Sequence, residues 1–431
     1  MSTQEFFDKY HFSTHVPVEE LLKTFDRQMD EGLSANPSPS SLAMLPAFID
    51  TSRKVPAEKR IIVLDAGGTN LRVAVVWFDQ CGKPHIEDFR KYAMPGTTGE
   101  ALTAEQFFDT FAGFLEPVCD RADAVGFCFS YPTEIFPDLD GKLLRWSKQV
   151  NAPEVVGTLV GSGISAALEK RTGRRLAIRV LNDTTATLLA GMSAGMSRRY
   201  SGYVGFILGT GTNIAYIEQN DRIKKVPGLD KGGSMIINVE SGCFDGFSRS
   251  EFDFDVSRAL RDPNEGIYEK MISGAYIGTT GLMMLRRAAQ EGLFSKDCAD
   301  GILSWKELTT IDFDRFTYNP YIDGPFAKLT MTEEDRSLMR ELSEALFIRA
   351  AELTVANISM AVIRCGKGHD PMHPVCITID GSTYYKTVSA MFRSRVEEGL
   401  RKVLGARGIY FDTICVEDAP MIGSAIAGLI A

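Results

Sequence analysis

Apolar runs that stop on a glycine-and-hydroxyl turn recur along this chain. In "RIIVLDAGGTNLRVAVVWFD" (60–79) an apolar strand runs into a Gly turn and a second strand follows. "GYVGFILGTGTNIAYIE" (202–218) repeats that pattern, with Gly68-Thr69-Asn70 answered by Gly211-Thr212-Asn213. The self-similarity is too short for a solenoid repeat and predicts two units that open alike. "AVGFCFSYP" (124–132) and "LAIRVLNDTTATLLAGM" (176–192) also open as strands. The second turns helical from Thr184, straight after Asn182-Asp183. "PVCITIDGSTYYK" (374–386) is a further strand ending in a polar Gly turn.

Helical spacing of apolar positions predicts helices over 17–30, 264–290 and 332–365. Thr332 is placed to cap the last of these, with acidic residues in its first turn. A helix over 387–404, a short strand "TICVED" (413–418) and an apolar helix from Ile422 close the chain. The stretch 32–48 is Pro/Ser-rich and reads as a connector. Strands alternating with helices predict an α/β chain whose mixed, mostly parallel sheets are covered on both faces.

Length sets the scale: 431 residues exceed one ordinary domain and predict two or three compact units. Apolar residues make up 44% and charged residues 24%, which suits a soluble globular chain with sizeable cores. The net charge of −9 argues against nucleic acid or an anionic membrane surface as the main partner. A phosphate can still be held locally by a few aimed N–H groups and a Lys or two. The eight Cys are dispersed without a C-x-x-C pair and read as reduced residues of a cytosolic protein. The N-terminus lacks the basic start and apolar core of a secretion signal. No uncharged apolar run approaches the roughly 20 residues that span a bilayer. A cytoplasmic location is the expectation.

Three strand ends deliver Gly together with hydroxyl residues: Asp65…Gly67-Gly68-Thr69-Asn70, Gly209-Thr210-Gly211-Thr212 and Asp380-Gly381-Ser382-Thr383. Glycines let backbone N–H groups approach phosphate oxygens, and hydroxyls add donors. One such turn alone is more often a hairpin connection. Three on one chain, two of them self-similar, favour a phosphate site. None fits the P-loop pattern. Asp65 ends an apolar strand, where a carboxylate is costly unless it is exposed, hydrogen-bonded or facing a metal. It reads either as a Mg2+ ligand acting through water or as a turn-stabilising Asp. Asn182-Asp183 reads either as a helix cap or as the place of a general base. Ser130, Glu240 and Glu269 sit in mixed polar and apolar surroundings suited to sugar hydroxyls, each also readable as an ordinary surface or capping residue. "CGKGHDPMHPVC" (365–376) has a loose zinc-ligand spacing, against which stands a plain Gly/Pro turn between helix and strand. His11, His15 and His85 have no catalytic context.

From residue 60 onward the chain resembles the eukaryotic-type hexokinase and glucokinase family. The resemblance is carried, in order, by "LDAGGTNLRV", "GFCFSYP", "LLRWSKQV", "LNDTTATLLAG", "GFILGTGTNIAYIE", "INVESGCFDGF", "YEKMISGAYIG" and "ITIDGSTYYK". It implies two actin-like (ribonuclease-H-like) lobes with mixed sheets flanked by helices and a cleft between them. The implied small lobe is 58–183 plus 415–431, and the large lobe 1–57 plus 184–414. It implies a hexokinase that phosphorylates the 6-hydroxyl of a hexose, glucose first, with ATP and Mg2+. Asp183 is then the base. Ser130, Ser147, Lys148, Asn182, Asn213, Glu240 and Glu269 hold the sugar. Asp65, Gly68, Thr69, Asn70, Lys91, Thr210, Gly211, Thr212, Gly381 and Ser382 face the nucleotide or its metal, with no direct protein ligand to the Mg2+ and Asp65 reaching it through water. Hexose and nucleotide are the implied partners, without nucleic acid or membrane, on a monomer or homodimer.

The chain departs from the family pattern twice. The segment Glu417-Asp418-Ala419-Pro420-Met421-Ile422 replaces a Gly-Ser-rich one, and Gln149-Val150 replaces Gly-Phe after the sugar lysine. The first departure bears on the choice of donor, the second on pocket shape. The rival expectations are a kinase for another sugar or polyol and a non-catalytic actin-like sugar-sensing protein.

Overall fold

The strand–turn–strand pattern and its repeat fold as two antiparallel hairpins, each at the centre of its own sheet. The computed structural model describes residues 1–37, 42–68, 70–97, 99–146, 150–194, 198–260 and 262–430. Its strands are β1 (Leu45–Pro46), β2 (Ile61–Ala66), β3 (Asn70–Phe78), β4 (Pro84–Ala93), β5 (Ala124–Phe129), β6 (Thr133–Ile135), β7 (Gly141–Leu143), β8 (Ala177–Leu181), β9 (Gly202–Leu208), β10 (Thr212–Gln219), β11 (Ser234–Asn238), β12 (Val375–Asp380) and β13 (Phe411–Ile414). Its helices are α1 (Thr3–Lys9), α2 (Val18–Leu33), α3 (Ala104–Leu115), α4 (Val160–Thr172), α5 (Asp183–Ala194), α6 (Glu251–Ala259), α7 (Ile267–Ile272), α8 (Ile277–Gln290), α9 (Lys296–Ser304), α10 (Thr310–Tyr318), α11 (Glu333–Arg364), α12 (Ser382–Lys386), α13 (Phe392–Gly405) and α14 (Ala419–Ile430).

One sheet has the order β4-β3-β2-β5-β8, the other β1-β11-β10-β9-β12-β13. In each, the hairpin strand continues through two parallel partners: β2 to β5 to β8, and β9 to β12 to β13. The second sheet repeats the first and adds β1 at its edge. Strand β2 is buried on both faces. Ile62 and Leu64 join the core of the five-stranded lobe, while Ile61 and Val63 face a second core. That is the near-continuous apolar pattern of a strand covered on both sides.

The second core lies between the sheets and is filled by α5 and α14. The two helices and the sheet approach at backbone distance. A Cβ added at Gly423 would strike the Ala186 backbone, and one at Gly126 would strike the Ser424 backbone. The third core belongs to the six-stranded lobe and includes residues of α1, α2, α8, α11 and α13. Helix α11 is long and apolar enough to cross a membrane by length and composition, yet 83% of its apolar window is buried inside the protein. Thr332 caps it with Asp335 in a capping box. Its Arg349 forks onto Asp253 at 2.7 and 2.8 Å in the buried interior.

Several elements differ from the patterning. The helical stretch 264–290 is broken at Ser273-Gly274, because the Gly274 N–H donates to the Gly209 carbonyl at 2.9 Å. The break props the second glycine turn. The helix expected over 387–404 starts at Phe392. The Val388 and Ser389 N–H groups donate to Asp314 Oδ1 instead, and Ala390 and Met391 hold positive φ. The strand expected over 413–418 is Phe411–Ile414, the length that pairs with β12. The terminal helix starts at Ala419, three residues early. Asp418 is left-handed (φ 53°), and its carbonyl takes the Met421 and Ile422 N–H groups. Pro420 fits there because the first turn has no use for its missing N–H. Strand β4 and helices α3, α4, α6, α9 and α10 are not singled out by the patterning.

Candidate active site

The tight first turn sets a register that puts Arg72 opposite Asp65. The rung continues to Lys91 on β4 and, on the other side, to Cys128 on β5. The Asp65 carboxylate is buried, and Arg72 Nε donates to it at 2.7 Å. Arg72 Nη1 also reaches Asp418, just before α14, at 2.9 Å. Burial pushes the Asp65 carboxyl above its ordinary value. Arg72 and the Cys128 thiol pull it back, and the nearby Asp183 charge adds to the push. The turn itself is braced by Tyr131, whose hydroxyl donates to the Gly67 carbonyl at 2.9 Å and the Gly68 carbonyl at 3.3 Å. Asn70, at the start of β3, and Lys91, on β4, are exposed.

The second and third turns interlock. Gly209 donates to the Gly211 carbonyl at 2.9 Å, and the Thr383 hydroxyl donates to the Gly209 carbonyl at 2.8 Å. Gly381 holds φ 117°, and a Cβ there would strike the Leu208 carbonyl, so only glycine lets the third turn lie against the second. Thr210 and Ser382 are exposed on this surface, and Thr212 is buried with its hydroxyl on the Ile207 carbonyl at 2.9 Å. Burial, the first cause, pushes the Asp380 carboxyl up, and the charges of Asp183 and Asp418 act the same way. Arg72 opposes them.

Between these turns α5 begins. The Asn182 side chain takes the cap, its Oδ1 accepting from the Thr184 N–H at 2.9 Å. The carboxylate of Asp183 is thereby spared that duty; the Thr184 hydroxyl lies 3.3 Å from its Oδ1. The charge of Asp183 acts on Asp65, Asp380 and Glu240 alike, so one carboxylate stands within electrostatic reach of both glycine-turn regions and of the opposite wall.

That wall is amide-rich. Glu240 Oε1 accepts from Asn238 Nδ2 at 2.8 Å and from Asn213 Nδ2 at 3.1 Å. Asn213 Oδ1 is turned to the Ile214 N–H at 2.7 Å. Among the described residues Glu240 Oε2 has no hydrogen-bond partner. Glu240 holds φ 59° and ψ 44°, a left-handed conformation that costs a non-glycine residue about 1 kcal/mol. Burial pushes its carboxyl up and Asp183 adds to that, while the Asn238 and Asn213 amides and Arg145 favour the charged form. Glu269, on α7, accepts from the Thr212 N–H at 2.9 Å. A Cβ at Gly211 would collide with the Glu269 carboxylate, so any side chain there would displace it. Ser130 follows β5, its N–H on the Ala66 carbonyl at 3.2 Å.

Thr69, Ser147 and Lys148 lie outside the described residues. The structure brings the other expected residues to the two glycine-turn regions and the wall around Asp183. Arg72, Asn238, Arg145 and Asp418 are site residues that the sequence reading lacks. Arg72 had a signal, since a hairpin of β2 and β3 sets it opposite Asp65. The segment 365–376 is a turn: His373 Nδ1 lies 2.7 Å from Asp370 Oδ2, His369 lies 3.3 Å from the Gly408 carbonyl, and Cys376 is buried. No group of three His, Cys, Asp or Glu able to hold a metal ion occurs among the described residues.

Family models described as hexokinase match residues 3–193 and 203–430. Hexokinase-2 of Equus caballus is 30% identical over 456 residues, covering 98% of this chain and 48% of the relative. The chain thus spans about half the length of the first curated relatives it matches. Hexokinase-1 of Schizosaccharomyces pombe is 28% identical and covers 99% of this chain and 91% of the relative. Among solved structures, the hexokinase of Schistosoma mansoni complexed with glucose superimposes with a TM-score of 0.79 at 26% identity, over 99% of both chains. A second structure, titled as that of a hexokinase, superimposes with a TM-score of 0.76 at 22% identity, which speaks for the fold alone. The chain has the two-lobed, actin-like α/β fold of these structures, with mixed sheets flanked by helices.

Proposed function

The chain belongs to the hexokinase family, and from that premise we propose that it transfers the γ-phosphoryl group of ATP to the 6-hydroxyl of a hexose, glucose first, with Asp183 as general base. The observation that carries this reading is the position of Asp183. It opens α5 with its cap duty taken by Asn182, and its charge acts on Asp65, Asp380 and Glu240. A hydroxyl held at that point would meet a carboxylate on one side and phosphate-binding turns on the other.

In this reading Glu240 and Glu269 accept hydrogen bonds from sugar hydroxyls, with Asn182, Asn213, Ser130, Ser147 and Lys148 around the ring. Their carboxylates are pre-set by amides and by the Thr212 N–H, so little reorganisation is needed on binding. The Gly68–Asn70, Thr210–Gly211 and Gly381–Ser382 turns face the phosphates, with Lys91 at the edge, while Thr212 supports its turn from behind, its N–H on Glu269 and its hydroxyl on the Ile207 carbonyl. Asp183 takes the hydroxyl proton as the oxygen attacks the γ-phosphorus in line, and ADP leaves with the bridging oxygen. The Arg72 guanidinium ties Asp65 to Asp418, and its charge also acts on Asp380. These carboxylates fit a Mg2+ carried by the nucleotide, which Asp65 would hold through water. When bound, it would neutralise charge on the transferring phosphates.

The test is phosphorylation of glucose, mannose, fructose and N-acetylglucosamine with ATP, ADP, GTP and polyphosphate as donors. Glucose with ATP is the expected best pair. The altered Asp418–Ile422 segment makes the donor series as informative as the sugar series. Sugar-dependent closure without phosphorylated product would favour a sensing protein instead.

A further inference from the structure

Arg145 and Glu265 meet across the cleft, Nε to Oε2 at 2.9 Å. Arg145 follows β7, between Leu143 and Trp146, both of which pack into the core of the five-stranded lobe. Trp146 is tied further by its Nε1, which donates to the Ala152 carbonyl at 2.8 Å. Glu265 lies between α6 and α7, whose Phe252 and Tyr268 belong to the core of the six-stranded lobe. Its turn is anchored: the Glu265 N–H donates to the Asp262 carbonyl at 3.2 Å, and the buried Lys270 pairs with the Asp262 carboxylate at 3.5 Å. Each partner is therefore presented from a fixed base on its own lobe. The contact ties the two lobes together at this edge.

We propose that Arg145 is a positioning residue that latches the two lobes together through Glu265 and so sets how tightly the closed cleft holds its hexose. The proposal rests on the hexose reading above. Its chemistry is that of a weak, breakable tie. The side chains are 45% and 52% exposed, so water screens the pair. A tie of this strength can open and re-form as a hexose binds and a product leaves. Arg145 also stands near the sugar wall, since its charge helps keep Glu240 ionised against the push of burial and Asp183. It acts in the same sense on the neighbouring Cys243, which Glu240 and Glu269 push the other way. One cation of the five-stranded lobe thus faces the acidic wall of the six-stranded lobe.

The experiment is a hexose titration followed by intrinsic tryptophan fluorescence without nucleotide, with steady-state kinetics alongside. Arg145→Ala and Glu265→Gln should each weaken hexose binding about two- to five-fold, the range of an exposed ion pair, and Glu265→Gln, which lies outside the site, should keep kcat within about twofold of wild type. The double variant should bind no more weakly than Arg145→Ala alone, and the swap Arg145→Glu with Glu265→Arg should recover part of the loss. Wild-type affinity should fall towards that of the variants as salt rises. Thermal stability should not change, which separates a latch from a structural prop. Wild-type affinity in both single variants, or effects that simply add, would overturn the latch while leaving the hexose reading standing. A wild-type chain that binds no hexose would overturn both.

Discussion

The Arg72 guanidinium donates to the buried Asp65 carboxylate at 2.7 Å, directly across the hairpin that carries the first glycine turn. Arg72 is the cation that most opposes the cost of burying Asp65. In Arg72→Met the carboxylate keeps its burial and loses its partner. Unfolding free energy measured in urea should fall by about 3 kcal/mol, as for other broken buried pairs, and turnover should fall with it. An unchanged denaturation midpoint would show that Asp65 is not held by this contact.

The contact between Gly211 and Glu269 predicts a different kind of loss. A methyl group at 211 would push the Glu269 carboxylate off the Thr212 N–H. Gly211→Ala should raise the hexose KM severalfold, since a displaced carboxylate can no longer meet a sugar hydroxyl. Its effect on global stability should stay near 1 kcal/mol, the scale of one strained contact. Kinetics with hexose varied at saturating nucleotide would read the split between KM and kcat.

Glu240 predicts a pH dependence with a definite sign. Its folded-state carboxyl is raised above the ordinary 4.5, first by burial and then by Asp183. Between the unfolded and the folded pKa the folded chain holds a proton that the unfolded chain has lost. Stability from this group is therefore present at low pH and declines as pH climbs through that interval. Sugar acceptance runs the other way, because only the ionised group accepts freely from a hydroxyl. Hexose kcat/KM should fall on the acid side, and Asn238→Ala, which removes a bond favouring the charge, should move that acid limb to higher pH. A pH profile identical in the two proteins would contradict this assignment.

Much of this architecture is readable in the sequence because hairpins and glycine turns are local. The alternation in 60–79 and 202–218 specifies two hairpins, and their likeness announces the repeated sheet order. The harder parts depend on partners far along the chain. Arg72 meets Asp418 from the far end, and Arg145 meets Glu265 across the cleft. No local pattern encodes either. The break at Ser273-Gly274 is hidden for the same reason, since the Gly209 carbonyl that causes it lies in another element. Asp183 is the reverse case. Its neighbourhood reads equally as a cap or a base, and only the observed capping by Asn182 removes the first duty.

The helix crossing at the centre of the molecule offers a test of packing. The absent side chain of Gly423 lets α14 lie on the backbone of α5 at Ala186, one turn beyond Asp183. Gly423→Val should lower the melting temperature, with a cost of at least about 1–3 kcal/mol from overpacking. Because α5 carries Asp183, kcat should drop further than the loss of folded protein explains. Activity per folded molecule equal to wild type would separate the crossing from the site.

The central claim is that Asp183 removes the proton of the attacking hydroxyl, and the direct test is Asp183→Asn measured for hexose binding and for turnover. The amide has nearly the same shape and can still hydrogen-bond, but it cannot accept the proton. Hexose affinity should stay within a few-fold of wild type, while kcat should fall about 10²- to 10⁴-fold, the contribution of a positioned general base. A variant that keeps near wild-type kcat would contradict the account.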